Sequence, residues 1–259
     1  MDLSNYTIRE LKKKLQERKV PKQLIDHLKN DPRKGVQKLA QKYIKQWQKK
    51  QKFREKWQQM NHKQLQLHNK GWELIVGLDE AGRGPLAGPV VAGAVILDPE
   101  VSLPGLDDSK KINPERREEL FSIIKTRAVK VGVGIVDNRE IDRINIHQAC
   151  FQAMKKAIIN LNLIPDYLLV DGRHPIPGLS LPQEAVIDGD CKVNAIAAAS
   201  IIAKVTRDKI IDEYHQKYPQ YGFIRNKGYG TPEHLQALKK HGATPLHRYS
   251  YSVVARNGS

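Results

Sequence analysis

The sequence predicts an α/β protein: a sheet of mixed direction flanked by helices, followed by a C-terminal helical part and preceded by an all-α basic extension. Three observations predict it. From Trp72 onward, short β-rich apolar runs come first and then alternate with helical periodicities. The stretch Ala195–Ala203 is apolar all round, as a helix buried on several sides must be. The charge is also uneven: residues 1–70 hold 20 Lys+Arg against 6 Asp+Glu, whereas residues 71–259 hold 24 against 22.

In the basic segment, Thr7-Ile-Arg-Glu10 fits a capping box, with Ile8, Leu11 and Leu15 repeating at helical spacing behind it. Pro21 suits the first turn of a second helix carrying Leu24, Ile25 and Leu28. Asp31-Pro32 opens a third, with Val36, Leu39, Ala40, Tyr43, Ile44 and Trp47 on one face. That helix runs on toward Gln66 or frays into a linker, because residues 48–70 are strongly polar.

In the remainder, Glu73–Leu78 and Val90–Leu97 read as two strands joined across a Gly/Pro-rich turn. Helices are predicted at Pro114–Arg127, Asn145–Leu163, Val193–Tyr218 and Thr231–His241, the last capped by Thr231 with Pro232 at its first position. Further strands are predicted at Lys130–Val136, Tyr167–Val170 and Glu184–Ile187. Residues 1–70 are therefore expected to form a basic helical extension or linker, a candidate nucleic-acid-binding module, and residues 71–259 a separate, nearly neutral, enzyme-like domain.

Composition narrows the function classes. Of the 259 residues 40% are apolar, too many for a wholly disordered chain, and no 18-residue apolar run spans a membrane. The N-terminus has no apolar signal core, so the protein is expected to be cytoplasmic. Cys150 and Cys191 sit in no CxxC or CxxH pattern, which argues against a disulfide scaffold or a zinc site. A formal charge of +16 concentrated in one segment suggests contact with a polyanion. Nucleic acid is favoured over membrane because the charges wrap all faces. A basic helix that only aids solubility explains the charge equally well.

Four acids stand where acids are costly. Asp79 and Glu80 follow an apolar strand, Asp171 ends the run Tyr167–Val170, and Asp190 precedes the buried helix. Desolvated carboxylates need compensation. Mg²⁺ or Mn²⁺ suits such hard oxygen ligands, and two ions held by converging carboxylates form a clamp for phosphodiester cleavage. Taken singly, each acid reads better as a turn or cap residue. Adjacent strand residues face opposite ways, so Asp79 and Glu80 share a site only if the strand ends there. The stretch Ala81-Gly-Arg-Gly-Pro-Leu-Ala-Gly88 fits neither a Walker A loop nor G-x-G-x-x-G. Its glycines allow close backbone approach to a ligand, and Arg83 offers a cation to phosphate. A tight turn explains the glycines but not Arg83.

Asp79-Glu-Ala-Gly-Arg-Gly-Pro-Leu-Ala-Gly-Pro-Val90 resembles the signature of the ribonuclease HII family. Further matching motifs follow in order: Asp108-Ser-Lys-Lys111, Ile141–Asn145, Val170-Asp-Gly172, Gly189-Asp190, Ala197–Asp208 and Lys227-Gly-Tyr-Gly-Thr231. The resemblance covers about residues 72–250 and implies a ribonuclease H-like fold. It also implies an endonuclease that cuts on the 5′ side of a ribonucleotide in RNA–DNA hybrids or within duplex DNA, leaving 3′-hydroxyl and 5′-phosphate ends. Its implied metal-binding acids fall on Asp79, Glu80, Asp171 and Asp190, with Mn²⁺ or Mg²⁺ as cofactor. The backbone of Gly82, Arg83 and Gly84 would read the 2′-hydroxyl, and Tyr229 would stack on the following deoxyribose. Lys110, Lys111 and Arg207 would contact phosphate, though simple surface or helix-end cations explain them nearly as well. Ser200 reads first as packing, then as a substrate contact. The expected partners are hybrid and ribonucleotide-containing duplexes, met by a monomer without membrane contact. The rivals are a ribonuclease HIII-like hybrid nuclease and a catalytically inactive duplex-binding protein.

Overall fold

The structure, a computed structural model, describes residues 6–15, 22–103, 105–106, 109 and 112–257. The chain divides into two compact units, Met1–Lys56 and Trp57–Ser259. The first unit contains α1 (Ile8–Lys14), α2 (Lys22–Lys29) and the start of α3 (Lys34–His68). Thr7 and Glu10 form the expected capping box, and Pro21 lies outside the described residues. Leu11, Leu15, Leu24, Leu28, Val36 and Ala40 make a small core. Asp31 receives the Arg33 guanidinium in a fork at 2.8 and 2.7 Å, which holds its carboxyl down at about 2.

The polar stretch after Gln48 does not fray; α3 continues to His68. Its last turns belong to the second unit, where Trp57 and Met60 enter the core. The polar residues there are used: Asn61 donates to the Pro99 carbonyl at 2.9 Å, and Gln64 accepts from the Ala195 N–H at 3.2 Å.

In the second unit β1 (Ile75–Ala81), β2 (Val90–Ile96), β3 (Lys130–Val136), β4 (Tyr167–Asp171) and β5 (Gln183–Val186) form one sheet in the order β3-β2-β1-β4-β5. The β3-β2-β1 half is antiparallel, and β1-β4-β5 is parallel. The helices are α4 (Pro114–Arg127), α5 (Asn138–Ile144), α6 (Ile146–Ile159), α7 (Gly189–Lys192), α8 (Asn194–Lys217), α9 (Phe223–Asn226), α10 (Pro232–His241) and α11 (Ser252–Asn257). The helix expected at 145–163 is α6, which starts at its cap Asn145 and ends at Ile159, while α5 before it adds to the predicted elements. Asn145 adopts φ 68° and its side chain caps α6, so α5 ends where α6 begins.

Helix α6 covers one face of the sheet through Ala149, Ala153, Met154 and Ala157. The opposite face carries α8, and it does so at backbone contact. A Cβ on Gly77 would stand 2.1 Å from the Ala195 carbonyl carbon, and one on Gly93 would stand 2.4 Å from the Ala199 oxygen. That intimacy explains the all-apolar start of α8. A third cluster, including Leu86, Ile211, Tyr221, Phe223 and Leu238, packs the C-terminal helices together. No helix among the described residues is long and apolar enough to cross a membrane.

Candidate active site

The central strands deliver the acids. In the parallel β1–β4 ladder Leu78 lies opposite Val170, so Asp79 and Asp171 come next on neighbouring strands. Side-chain alternation places Leu78 and Val170 in the α6-side core, with Asp79 and Asp171 on the α8 side. Glu80 shares the parity of Leu78 and faces the α6 side. Strand β1 does not end at Asp79 but runs to Ala81. The two adjacent acids therefore bracket the sheet edge from opposite faces, and both still line one cleft. Asp190 arrives on α7, which is docked by the Gly189 N–H donating to Asp171 Oδ1 at 2.7 Å.

All four acids line a cleft of about 1010 Å³, together with Arg83, Lys204, Lys209, Arg225, Lys227 and Tyr229. Burial drives the Asp79 carboxyl well above its ordinary range, and the charges of Glu80 and Asp171 push it further. Glu80 is also raised by burial, although Arg83 Nη1, 3.4 Å from its Oε1, opposes the shift. Burial raises Asp171 against the Gly189 hydrogen bond. Ser200 hydrogen-bonds Asp79, and its hydroxyl stands 2.9 Å from that of Ser109. The place of Ser200 is thus beside the acid, with Ser109 of the Asp108–Lys111 motif behind it.

As placed, no group of three His, Cys, Asp or Glu among the described residues is arranged to hold a metal ion. The donor chemistry nevertheless fits one. Four carboxylates share a cleft, and the largest upward shifts arise from burial and mutual repulsion, which a hard divalent cation would relieve.

Beside the acids, the Gly82–Gly84 turn is held from beneath. Arg248 is fully buried and donates to the carbonyls of Gly82 at 2.6 Å, Arg83 at 2.9 Å and Gly88 at 2.9 and 3.0 Å. The Tyr251 hydroxyl adds a second donor to Arg83 O at 2.8 Å. The carbonyls of Gly82 and Arg83 are thereby engaged, while the N–H groups of Arg83 and Gly84 donate to no acceptor among the described residues. Tyr229 is 44% exposed and abuts the turn: a Cβ on Gly84 would lie 3.5 Å from its ring.

Arg207 has a different place from the expected one. It is 1% exposed, and its three nitrogens donate to the carbonyls of Pro89, Lys227 and Ala87 at 3.0, 3.0 and 3.1 Å. Burial lowers it to about 10, which still leaves it charged. It ties the glycine-rich turn to the Tyr229 loop, spending three of its five N–H donors on backbone carbonyls. Lys110 and Lys111 lie outside the described residues.

Gly82 itself has φ +101°, and a Cβ there would stand 2.3 Å from Arg207 Nε and 2.7 Å from Pro89 O. Gly82→Ala is therefore expected to cost about 1–3 kcal/mol of stability. It should also lower kcat/KM about a hundredfold by displacing the turn. Calorimetry and steady-state kinetics check both.

A mixed sheet whose central strands bring carboxylates to one cleft, beside a turn with unengaged amides, defines a nuclease of the ribonuclease H class. The comparisons agree. The model of ribonuclease HII matches residues 76–254, and that of the ribonuclease HII N-terminal domain matches residues 7–68. A ribonuclease HII of Bacillus licheniformis is 47% identical over 97% of this chain and 98% of its own. The ribonuclease H2 structure from Pyrococcus horikoshii aligns with TM-score 0.62 at 28% identity, covering 72% of this chain and 97% of that one. A ribonuclease HIII, Bst-RNase HIII in complex with Mn²⁺, shares the fold alone, at TM-score 0.57 and 16% identity over 73% of this chain and 70% of its own. The chain belongs to the ribonuclease HII family, whose members are hydrolases.

Proposed function

We propose that the protein is an endoribonuclease that hydrolyses the phosphodiester 5′ of a ribonucleotide, in RNA–DNA hybrids or embedded in duplex DNA, leaving 3′-hydroxyl and 5′-phosphate ends. The observation that carries the reading is the placement of Tyr229 and the Gly82–Gly84 turn against each other in the cleft that holds the acids. The unengaged amides of the turn donate to the 2′-hydroxyl, which alone distinguishes RNA from DNA at one nucleotide. Tyr229 packs on the deoxyribose that follows, so a ribose-to-deoxyribose junction satisfies both. Asp79, Glu80, Asp171 and Asp190 hold the cofactor and set the scissile phosphate at the sheet edge. A pair of Mg²⁺ or Mn²⁺ ions would supply charge stabilisation and a more acidic water there. Lys204, together with Lys110 and Lys111, neutralises flanking phosphates. The resulting nick suits removal of ribonucleotides from DNA.

The test is an end-labelled DNA duplex with one ribonucleotide, incubated with Mg²⁺, with Mn²⁺ and with chelator, beside a plain RNA–DNA hybrid. Cleavage 5′ to the single ribonucleotide, lost on chelation, is the expected result. Cleavage of the hybrid alone would remove the roles of the turn and of Tyr229. Tight binding without cleavage would favour a duplex-binding protein.

For the basic segment we propose phosphate contacts that raise duplex affinity, a contribution that weakens steeply with salt. Truncation has to stop at Lys56, because cutting at 70 removes Trp57 and Met60 from the core of the second unit. The shortened protein is expected to keep its kcat, show KM raised about tenfold at low salt, and lose most of the salt dependence of KM. An unchanged KM and salt slope would rule the idea out.

A further inference from the structure

The Tyr229 carbonyl is the outer end of a buried chain of two imidazoles. His234 Nδ1 lies 2.9 Å from Tyr229 O, His234 Nε2 lies 3.0 Å from His247 Nε2, and His247 Nδ1 lies 3.0 Å from the Thr244 N–H. Both rings are fully buried. Phe223 meets His234 edge-on at 5.3 Å between centroids, and Tyr221 lies 5.1 Å from His247.

The terminal partners dictate every proton. Thr244 N–H can only donate, so His247 Nδ1 accepts and the proton of the neutral ring sits on Nε2. Tyr229 O can only accept, so His234 carries its proton on Nδ1 and offers the Nε2 lone pair to His247. The chain then runs in one direction, from Thr244 N–H through both rings to Tyr229 O. A second proton on either ring would set two N–H groups against each other. Burial acts in the same sense, lowering His234 and bringing His247 to about 4.

The remaining bonds of the loop show what the chain adds. Lys227 O is taken by Arg207 and Gly228 O by the Leu86 N–H at 2.8 Å. Tyr229 O accepts from Thr231 N at 2.8 Å, within its own turn, and its other partner among the described residues is the buried His234. The other end of the chain adjoins Arg248, the residue that grips the Gly82–Gly84 turn. The two recognition elements are thus anchored by consecutive residues, His247 and Arg248.

We propose that His234 and His247 are positioning residues for Tyr229: they orient the ring toward the Gly82–Gly84 turn and so set the preference for a ribonucleotide followed by a deoxyribonucleotide. The inference rests on the reading of Tyr229 given above. It deepens that reading by assigning the specificity to a relay that never touches nucleic acid.

The test uses two variants of similar polarity that break opposite links. His234→Asn keeps a donor near the Nδ1 position and loses the link to His247; His234→Gln keeps the group near Nε2 and loses the donor to Tyr229 O. The readout is the ratio of kcat/KM on a duplex with one ribonucleotide to kcat/KM on a full RNA–DNA hybrid, because simple destabilisation lowers both and leaves the ratio alone. His234→Gln, which removes the bond to Tyr229 O, is expected to lower the ratio about tenfold, and His234→Asn, which cuts the relay one link further back, about threefold. In a Tyr229→Ala background neither is expected to change it further, since residues acting through one group are not additive. A Tyr229→Ala effect on the ratio without a His234→Gln effect, or additive effects in the double variant, would overturn the proposal while sparing the role of Tyr229. No effect of Tyr229→Ala itself would remove that role and this proposal with it.

Discussion

Asp79→Asn is expected to lower kcat by about 10³-fold or more while leaving duplex affinity intact. The carboxylate is 6% exposed, bonded to Ser200 and to the Glu80 N–H at 2.7 Å, and pressed by the charges of Glu80 and Asp171. An asparagine fills the same volume and keeps the acceptor for both donors, so the site retains its shape. What it removes is a charge that the fold holds at its own expense. The melting temperature should therefore stay level or rise by about 2–4 °C, the shift of about 1 kcal/mol in a unit of this size. Falling activity with unchanged or rising stability distinguishes a group kept for chemistry from one kept for structure. A variant that loses stability in parallel, or keeps more than about a tenth of wild-type kcat, would contradict the assignment of Asp79 to the cofactor site.

The second large effect lies at Arg248. Arg248→Met is expected to strip the carbonyls of Gly82, Arg83 and Gly88 of their buried donor, each orphaned group costing about 1–3 kcal/mol. Tyr251 still serves Arg83 O, which limits the loss. A net cost of about 3–5 kcal/mol lowers the melting temperature by about 6–20 °C and releases the turn whose amides face the cleft. Arg248→Lys is no remedy, because a single ammonium cannot reproduce the planar fork. Both variants should lose discrimination against DNA before they lose all cleavage. Thermal denaturation beside cleavage of ribonucleotide-containing and hybrid duplexes measures it. Arg248→Lys with wild-type selectivity would show that the fork is dispensable.

Much of this was legible along the chain. The β2 and β3 runs stand out because they are Val- and Gly-rich between polar borders, and β3 spans Lys130–Val136 as read. The four acids stand out because a carboxylate directly after an apolar run is costly unless something is gained. What the sequence concealed depends on distant partners. Arg207 looks like one more helix cation, and its burial follows from carbonyls 118 and 120 positions upstream. Arg248, His234 and His247 carry no local periodicity. The short helix α5, set just ahead of the Asn145 cap, carries no apolar periodicity long enough to read from the sequence. The alternation rule foresaw that Asp79 and Glu80 face opposite ways. It could not foresee that the sheet edge would let both reach one cleft.

The grip of Arg248 on the Gly82–Gly84 turn also has a consequence for synthesis. A nascent chain that has emerged as far as Asp190 already displays Asp79, Glu80, Asp171 and Asp190, yet the guanidinium that shapes the neighbouring turn is still unmade. The bonds to Gly88 and Gly82 span 160 and 166 residues, among the longest ranges in the second unit. Closures of that range form late, after local helices and hairpins have settled. Translation products that stop short of Arg248 would therefore present acids without a shaped reading turn. The order of synthesis thus leaves the reading turn to be shaped only when nearly all of the second unit has left the ribosome.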